Sequence, residues 1–145
     1  MLQTSFVRFW ATGIFLTVFM CGGAQLQDVP GGMWKDSATG LTWTVKDNGS
    51  NVNWNQAGEY CSNLRLGGFS DWRLPGIDEL EAVYDQKSTR LYKIKSPIEL
   101  SDSCILSGTT NNSGEVWGFY FSYGGKSLAR ASGHGSAGRA LCVRQ

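Results

Sequence analysis

The sequence predicts an α+β domain in which short β-strands accompany two short helices. Of the 145 residues, 19 are glycine and 12% are aromatic, a composition typical of a loop-rich fold rather than of a helical bundle or a disordered chain. Apolar residues recur at helical spacing in segments 54–64 and 77–86, and several shorter runs favour β-strands. We expect one domain, because the folded part is too short for two ordinary ones.

Residues 1–24 are predicted to be an export signal. Arg8 precedes an apolar run of about 12 residues, and small residues follow it up to Ala24. The run is shorter than the roughly 20 residues that span a bilayer, so we expect cleavage after Ala24 rather than an uncleaved anchor. Residues 25–32 are then a flexible leader, and 33–145 form a domain located in the periplasm, on the cell surface or outside the cell.

The charge balance gives no support to binding of nucleic acids or membrane surfaces. The chain has 13 Lys and Arg against 12 Asp and Glu, and Arg8 falls within the export signal. The mature domain is therefore close to neutral, whereas a nucleic-acid-binding domain usually carries a strong positive excess.

The first half of the domain is predicted to contain a hairpin followed by a helix. The runs 33–36 and 41–45 are β-prone and flank a short connection that ends in Gly40. Asn51 or Asn53 then caps a helix, and the helical spacing of its apolar residues predicts that Cys61 points inward. The apolar positions of this helix are Trp54, Ala57, Tyr60, Cys61 and Leu64.

A glycine turn, a buried corner and a helix start are predicted between residues 67 and 80. Pro75 permits a helix after it and disfavours one before it. Asp71 and Arg73 flank Trp72, which suggests a sugar-binding site as one interpretation. We favour the alternative, in which Trp72 packs in the core while the two charged residues pair with each other or cap the backbone. The motif consists of Asp71, Trp72, Arg73, Leu74 and Pro75.

The second half is predicted to be mostly strands and loops. A helix over 77–86 comes first, with acidic residues in its first turn. Strands are expected over 116–123, 127–131 and 140–144, whereas 101–113 is largely polar and no regular element is predicted there.

Three cysteines remain after the export signal. Cys61, Cys104 and Cys142 allow one disulfide and one leftover thiol in an oxidising compartment, and their pattern alone does not choose among the three pairings. Burial is the expected state of the leftover thiol.

In order and spacing, these segments resemble the bacterial family named for the C-terminal domain of the Lcl collagen-like adhesin, and 70–75 is the most specific part. The resemblance implies a C-type-lectin-like fold with two helices packed on a twisted, mostly antiparallel sheet and with the first and last strands close together. It also implies one long-range disulfide, between Cys61 and Cys142. The matching segments are Asp36 with 39–43, Trp54 with Ala57 and 60–61, 67–75 with 79–80, and 141–144.

The chain departs from the family pattern in two places. Gly76 stands where the family usually has a hydroxyl residue that forms a capping box with the glutamate three positions later, here Glu79. Over 106–109 the family commonly has an aromatic residue followed by Trp-Ser-Ser, and this chain lacks both aromatic residues.

The sequence predicts neither an enzyme nor a metal site. His134 is the only histidine and lies between two glycines, and no motif supplies a nucleophile and an orienting acid for it. The paired cysteines of formylglycine-generating enzymes, which share a related fold, are also absent. We therefore expect no catalytic residue, no cofactor and no metal. The only candidate calcium ligands are Asp102, Asn111, Asn112 and Glu115.

Two groups of basic residues are the remaining candidates for ligand binding. Such groups bind acidic or sulfated glycans through charge and through stacking on an aromatic ring, although many are merely solvated surfaces. The first group is Arg90, Lys93 and Lys95 with Tyr92, and the second is Lys126, Arg130 and Arg139. The sequence thus predicts an exported binding or adhesion module. The alternative is a structural subunit of a cell-surface or extracellular assembly, which oligomerises with other copies or with another surface protein.

Overall fold

The computed structural model describes residues 32–131 and 137–145. The predicted export signal, almost all of the predicted leader and His134 lie outside these residues. The described part contains two helices and six strands. In chain order they are β1 Met33–Lys35, β2 Thr42–Thr44, α1 Trp54–Asn63, α2 Ile77–Ala82, β3 Cys104–Thr110, β4 Glu115–Tyr120, β5 Gly125–Arg130 and β6 Val143–Arg144.

The strands form two three-stranded antiparallel sheets, in the orders β1-β2-β6 and β3-β4-β5. This confirms the α+β class and corrects the expectation of a single sheet. Residues 139–143 connect the two sheets, because this segment first lies beside β3 and then pairs with β2. Arg139 forms a parallel bridge with Ile105 of β3, and Val143 pairs with Trp43 of β2.

The predicted hairpin is confirmed as β1 and β2. Trp34 lies opposite Trp43 in the register of the two strands. The buried carboxylate of Asp36 organises the turn, accepting hydrogen bonds from the backbone N–H of Ala38 (3.1 Å) and the hydroxyl of Thr39 (3.0 Å). Such local side-chain bonds replace the backbone pairs that a turn cannot make.

Helix α1 begins with a complete capping box. Asn53, one of the two predicted caps, accepts a hydrogen bond from the backbone N–H of Gln56 at 2.9 Å, and its own N–H donates to the Gln56 side chain at 3.0 Å. Ala57 and Cys61 are fully buried, as the helical spacing predicted, but Tyr60 is 39% exposed and belongs to the outer face.

Helix α2 ends at Ala82, four residues earlier than predicted. Tertiary hydrogen bonds end it, because the carbonyl of Val83 accepts from the N–H of Lys95 (2.9 Å) and the N–H of Asp85 donates to Lys93 (2.8 Å). These backbone groups are therefore unavailable for another helical turn.

Strand β3 lies in the segment for which no regular element was predicted. Its first half is buried despite the polar residues of the segment, since Ile105, Leu106 and Ser107 are each at most 3% exposed. Both oxygens of Ser107 have hydrogen-bond partners. The hydroxyl accepts from the N–H of Thr109 (2.9 Å), and the carbonyl accepts from the indole N–H of Trp54 (2.9 Å). Buried polar groups require such partners.

The described residues bury two apolar clusters. The larger one packs α2 against strands of both sheets and includes Trp43, Leu80 and Phe119. The smaller one surrounds the Cys61–Cys142 disulfide, whose formation confirms the pairing that the family resemblance implied. Its members are Ala57, Cys61, Trp72, Leu106, Ala140 and Cys142.

The cap of α2 is assembled from two parts of the chain. Glu79 accepts a hydrogen bond from the N–H of Gly76 at 2.7 Å, which is the half of the capping box that the sequence retains. A hydroxyl from β3 satisfies another N–H of the first turn, because Thr109 accepts from the N–H of Ile77 at 3.0 Å. The strand thus adds a hydroxyl to the first turn of α2, although it binds a different N–H from the one that a hydroxyl residue at position 76 would bind.

We predict that Thr109→Val lowers the free energy of unfolding by about 1 kcal/mol, because it leaves the first N–H of α2 without a partner. Gly76→Ser in the Thr109→Val background should not replace this bond, since a serine at the N-cap accepts from the N–H of the second or third helical residue rather than from that of Ile77. Urea unfolding of the four variants of this cycle measures both effects. Full recovery of the loss by Gly76→Ser would contradict the assignment of the Thr109 bond to the N–H of Ile77.

Candidate functional site

The first basic group lies on the segment that follows α2. Two backbone hydrogen bonds fix this segment: the N–H of Lys93 donates to Phe121 at 2.7 Å, and that of Lys95 donates to Val83 at 2.9 Å. Leu91 is 78% exposed, whereas Tyr92 is half-buried against the larger core cluster. The segment therefore presents its tip to solvent while its end is attached to the core.

Lys95 differs from the other cations of this group. Its ammonium lies 3.5 Å from the carboxylate of Asp36, the buried residue that organises the β1–β2 turn. Among the described residues no salt bridge involves Arg90 or Lys93, and the neighbouring Lys87 has none either. Three cations without a salt bridge among the described residues thus lie within the seven positions 87–93.

The second basic group is not brought together. Lys126 lies on β5 and pairs with Glu81 (2.7 Å) and Asp78 (3.6 Å) of α2, and the hydrogen bond to Glu81 raises the pKa of this lysine. Arg130, at the other end of β5, lies opposite Glu115 of β4.

Arg139 lies at the far edge of the same sheet, beside β3. Its guanidinium donates to the hydroxyl of Ser101 (2.9 Å) and to Asn51 (2.7 Å), and it lies 3.9 Å from Asp102. Strands β3 and β4 therefore separate it from Lys126 and Arg130, and its donors connect loops of the domain itself.

The Asp71–Pro75 motif is part of the scaffold. Trp72 is 3% exposed in the disulfide cluster, and its indole N–H donates to the carbonyl of Leu66 at 3.4 Å. Pro75 is also buried, whereas Leu74 packs partly exposed against the same cluster as Trp72. Burial leaves Trp72 no face for stacking on a sugar.

The charged residues of the motif do not pair with each other. Asp71 accepts two hydrogen bonds from Arg144 (2.7 and 3.0 Å), and Arg73 donates two to Glu79 (2.7 and 2.9 Å). These contacts lower the pKa of Asp71 and of Glu79. The Arg144 guanidinium also lies 3.7 Å from the ring centre of Phe69, so this surface is held together by its own side chains.

The candidate calcium ligands lie at opposite ends of β3. Asn111 accepts from the N–H groups of Ser113 and Glu115 (both 2.9 Å) and shapes the β3–β4 turn, whereas Asp102 precedes the strand. A strand of seven residues separates them by about 20 Å, too far for one ion. No group of three or more histidine, cysteine, aspartate or glutamate residues that could hold a metal ion occurs in the described ranges.

The structure reveals an exposed aromatic residue that the sequence prediction missed. Tyr123 was assigned to a strand, but β4 ends at Tyr120 and the chain turns over 121–124. Tyr123 is 65% exposed, and its ring stacks on Tyr120 with 5.5 Å between centroids. The glycine pair that follows was the available signal, because such pairs favour turns.

These features define a small α+β domain with a long-range disulfide and an exposed basic loop. The family described as the Lcl C-terminal domain matches residues 32–144, so the chain belongs to that family. Comparison with curated proteins finds no match, and comparison with solved structures finds none. No helix in the described ranges has the length and apolar character needed to cross a membrane.

Proposed function

We propose that this domain is an exported, non-catalytic binding or adhesion module that recognises acidic or sulfated glycans through segment 87–93. The observation that carries the proposal is the contrast among the basic residues. Lys95, Lys126 and Arg139 have carboxylate partners in the domain, whereas the cations of 87–93 have none among the described residues. Export is supported by the disulfide, which is typical of oxidising compartments.

The chemistry of the loop suits sulfate or carboxylate groups. An arginine guanidinium donates parallel hydrogen bonds to such anions, and a lysine ammonium adds a point charge. Arg90 is exposed and Lys93 is half-exposed, so a ligand can reach both. Because exposed charges are screened by salt, binding through them weakens as ionic strength rises.

We also propose that the fold is C-type-lectin-like. The pairing of β2 with β6 brings the N-terminal hairpin beside the C-terminal strand, and the disulfide links α1 to the residue before that strand. The alternative function, a structural subunit that is linked to another protein through Cys104, has less support. The Cys104 thiol is half-buried, and burial raises the pKa of this thiol.

Binding to immobilised heparin tests the glycan proposal. The double variant Arg90→Ala with Lys93→Ala should weaken binding at low salt by about tenfold or more, since each charge-assisted hydrogen bond contributes roughly 1.5–3 kcal/mol. The matched control is Arg65→Ala with Lys35→Ala, which removes the same two residue types from exposed positions elsewhere.

Equal losses in the two double variants would show that only net charge matters, and the assignment to 87–93 would fail. Absence of salt-sensitive binding to heparin and to an array of sulfated and uronic-acid glycans would reject the function itself. The melting temperature of the variant at Arg90 and Lys93 should match the parent, since no salt bridge among the described residues is lost. The control should melt slightly lower, because Arg65 donates hydrogen bonds to the carbonyls of Ser62 and Leu64.

A further inference from the structure

The exposed aromatic residue Tyr123 lies near the basic segment 87–93. The backbone N–H of Lys93 donates to the carbonyl of Phe121 at 2.7 Å, so one hydrogen bond joins the segment to the turn over 121–124. Counted through that bond, covalent geometry limits the distance between the Cα atoms of Lys93 and Tyr123 to about 12 Å. A short oligosaccharide is therefore long enough to reach both residues.

Tyr84, just after α2, fixes the turn and the segment relative to each other. It forms an antiparallel bridge with Ile94, and its ring lies against Gly124, where an added Cβ would be only 2.7 Å from the ring. The same ring packs edge-on against Phe119 in the core, with 5.6 Å between centroids. The turn and the segment thus keep one relative position, because Tyr84 connects both to the core.

The side chains of Lys93 and Tyr123 both reach solvent. Tyr92 and Ile94 belong to the larger core cluster, whereas Lys93 between them is half-exposed. This alternation is expected of an extended segment, in which neighbouring side chains point to opposite sides. Because most of Tyr123 is also exposed, a ligand in solvent can contact the cation and the ring together.

The ring of Tyr123 is ordered by its neighbours. It stacks on Tyr120, with 5.5 Å between centroids and 16° between the ring planes. It also lies across the backbone of Gly125, where any side chain would collide with it. A ring that is already held in place loses little conformational entropy when a ligand packs on it, so more of the contact energy appears as affinity.

We propose that Tyr123 stacks on a sugar ring of the acidic glycan whose sulfate or carboxylate groups Arg90 and Lys93 bind. This role of Tyr123 rests on the proposed function and extends its site to the turn over 121–124. The C–H side of a pyranose carries partial positive charge, which suits the negative face of an aromatic ring. The preferred ligand is thus an acidic chain of pyranose rings, and an anion without rings fills only part of the site.

Calorimetric titration with a heparin hexasaccharide at several salt concentrations tests this role. Tyr123→Ala should weaken binding about three- to tenfold, the usual range for one aromatic contact. Tyr123→Phe should bind as the parent does, because stacking needs no hydroxyl. Heparin is a polyanion, so the slope of log affinity against log salt reports the ionic contacts. Tyr123→Ala should keep the slope of the parent, whereas Arg90→Ala with Lys93→Ala should reduce it.

Long-chain polyphosphate is the matched ligand, because it carries anionic charge without any ring. Its binding should weaken in the double variant at Arg90 and Lys93 and should not change in Tyr123→Ala. Tyr60→Ala is the matched control variant, because Tyr60 is an exposed tyrosine on α1, and it should bind both ligands as the parent does.

A second variant displaces the ring without removing it. Gly125→Ala places a methyl group where the Tyr123 ring lies, and the ring can swing aside because most of it is exposed. The domain should therefore fold, while heparin affinity falls several-fold. Gly58→Ala is the control, since an added Cβ at Gly58 meets no atom within 4 Å.

Unchanged heparin affinity in both Tyr123→Ala and Gly125→Ala would rule out the stacking role, and a loss confined to the variant at Arg90 and Lys93 would leave the proposed function intact. An equal loss of heparin and polyphosphate binding in Tyr123→Ala would also rule it out, because the ring would then only shape the basic segment. The same holds if Tyr123→Phe loses as much affinity as Tyr123→Ala. A parent that does not bind heparin would reject the role together with the proposed function.

Discussion

Replacing Cys61 and Cys142 together with alanine should lower the free energy of unfolding by about 4 kcal/mol. The bridge joins residues 81 positions apart, so its loss frees a long loop in the unfolded chain. It also opens the smaller core cluster, in which both sulfurs are fully buried. Urea unfolding followed by tryptophan fluorescence measures the change.

Cys104→Ala is the control for this experiment, because Cys104 has no disulfide partner and is only half-buried. It should change stability far less than the double variant does. Reduction of the parent protein should reproduce most of the loss. A double variant within about 1 kcal/mol of the parent would show that the bridge contributes little.

Trp72→Ala should destabilise the domain by about 3–5 kcal/mol, the usual range for removing a buried aromatic side chain. The indole packs in the cluster around the disulfide, and alanine would leave a cavity there. We expect little folded protein in the exported fraction, and unfolding measurements on the remainder should show the loss.

Phe69→Ala is a suitable comparison, since Phe69 is an aromatic residue of the same motif region but is 38% exposed. Its loss should cost much less and should mainly release Arg144 from the ring. A well-folded Trp72→Ala protein with only a binding defect would overturn the scaffold role of the motif.

Local patterns predicted the elements that local interactions stabilise. The β1–β2 hairpin and the cap of α1 depend on residues within five positions of one another, so the sequence predicted both. Strand β3 escaped prediction because its serine, glycine and threonine residues carry no apolar pattern. Its burial results from residues 138–140 lying alongside it, a contact between distant parts of the chain.

The same distinction applies to the candidate site. Sequence reasoning identified the basic residues but not their partners, because those partners are distant along the chain. Asp36 lies beside Lys95, and Asn51 binds Arg139 across 88 positions. The tertiary structure is therefore needed to distinguish the cations that have partners within the domain from those at 87–93.

The Cys61–Cys142 bridge also sets how the domain responds to a pulling force. If residues 32 and 145 are pulled apart, only the stretches 32–61 and 142–145 can straighten, to about 120 Å, instead of the roughly 400 Å of an unbridged chain. The segment 87–93 belongs entirely to the closed loop between the two cysteines. The proposed binding surface thus lies outside the path that carries the tension, as suits a module that holds a ligand under load.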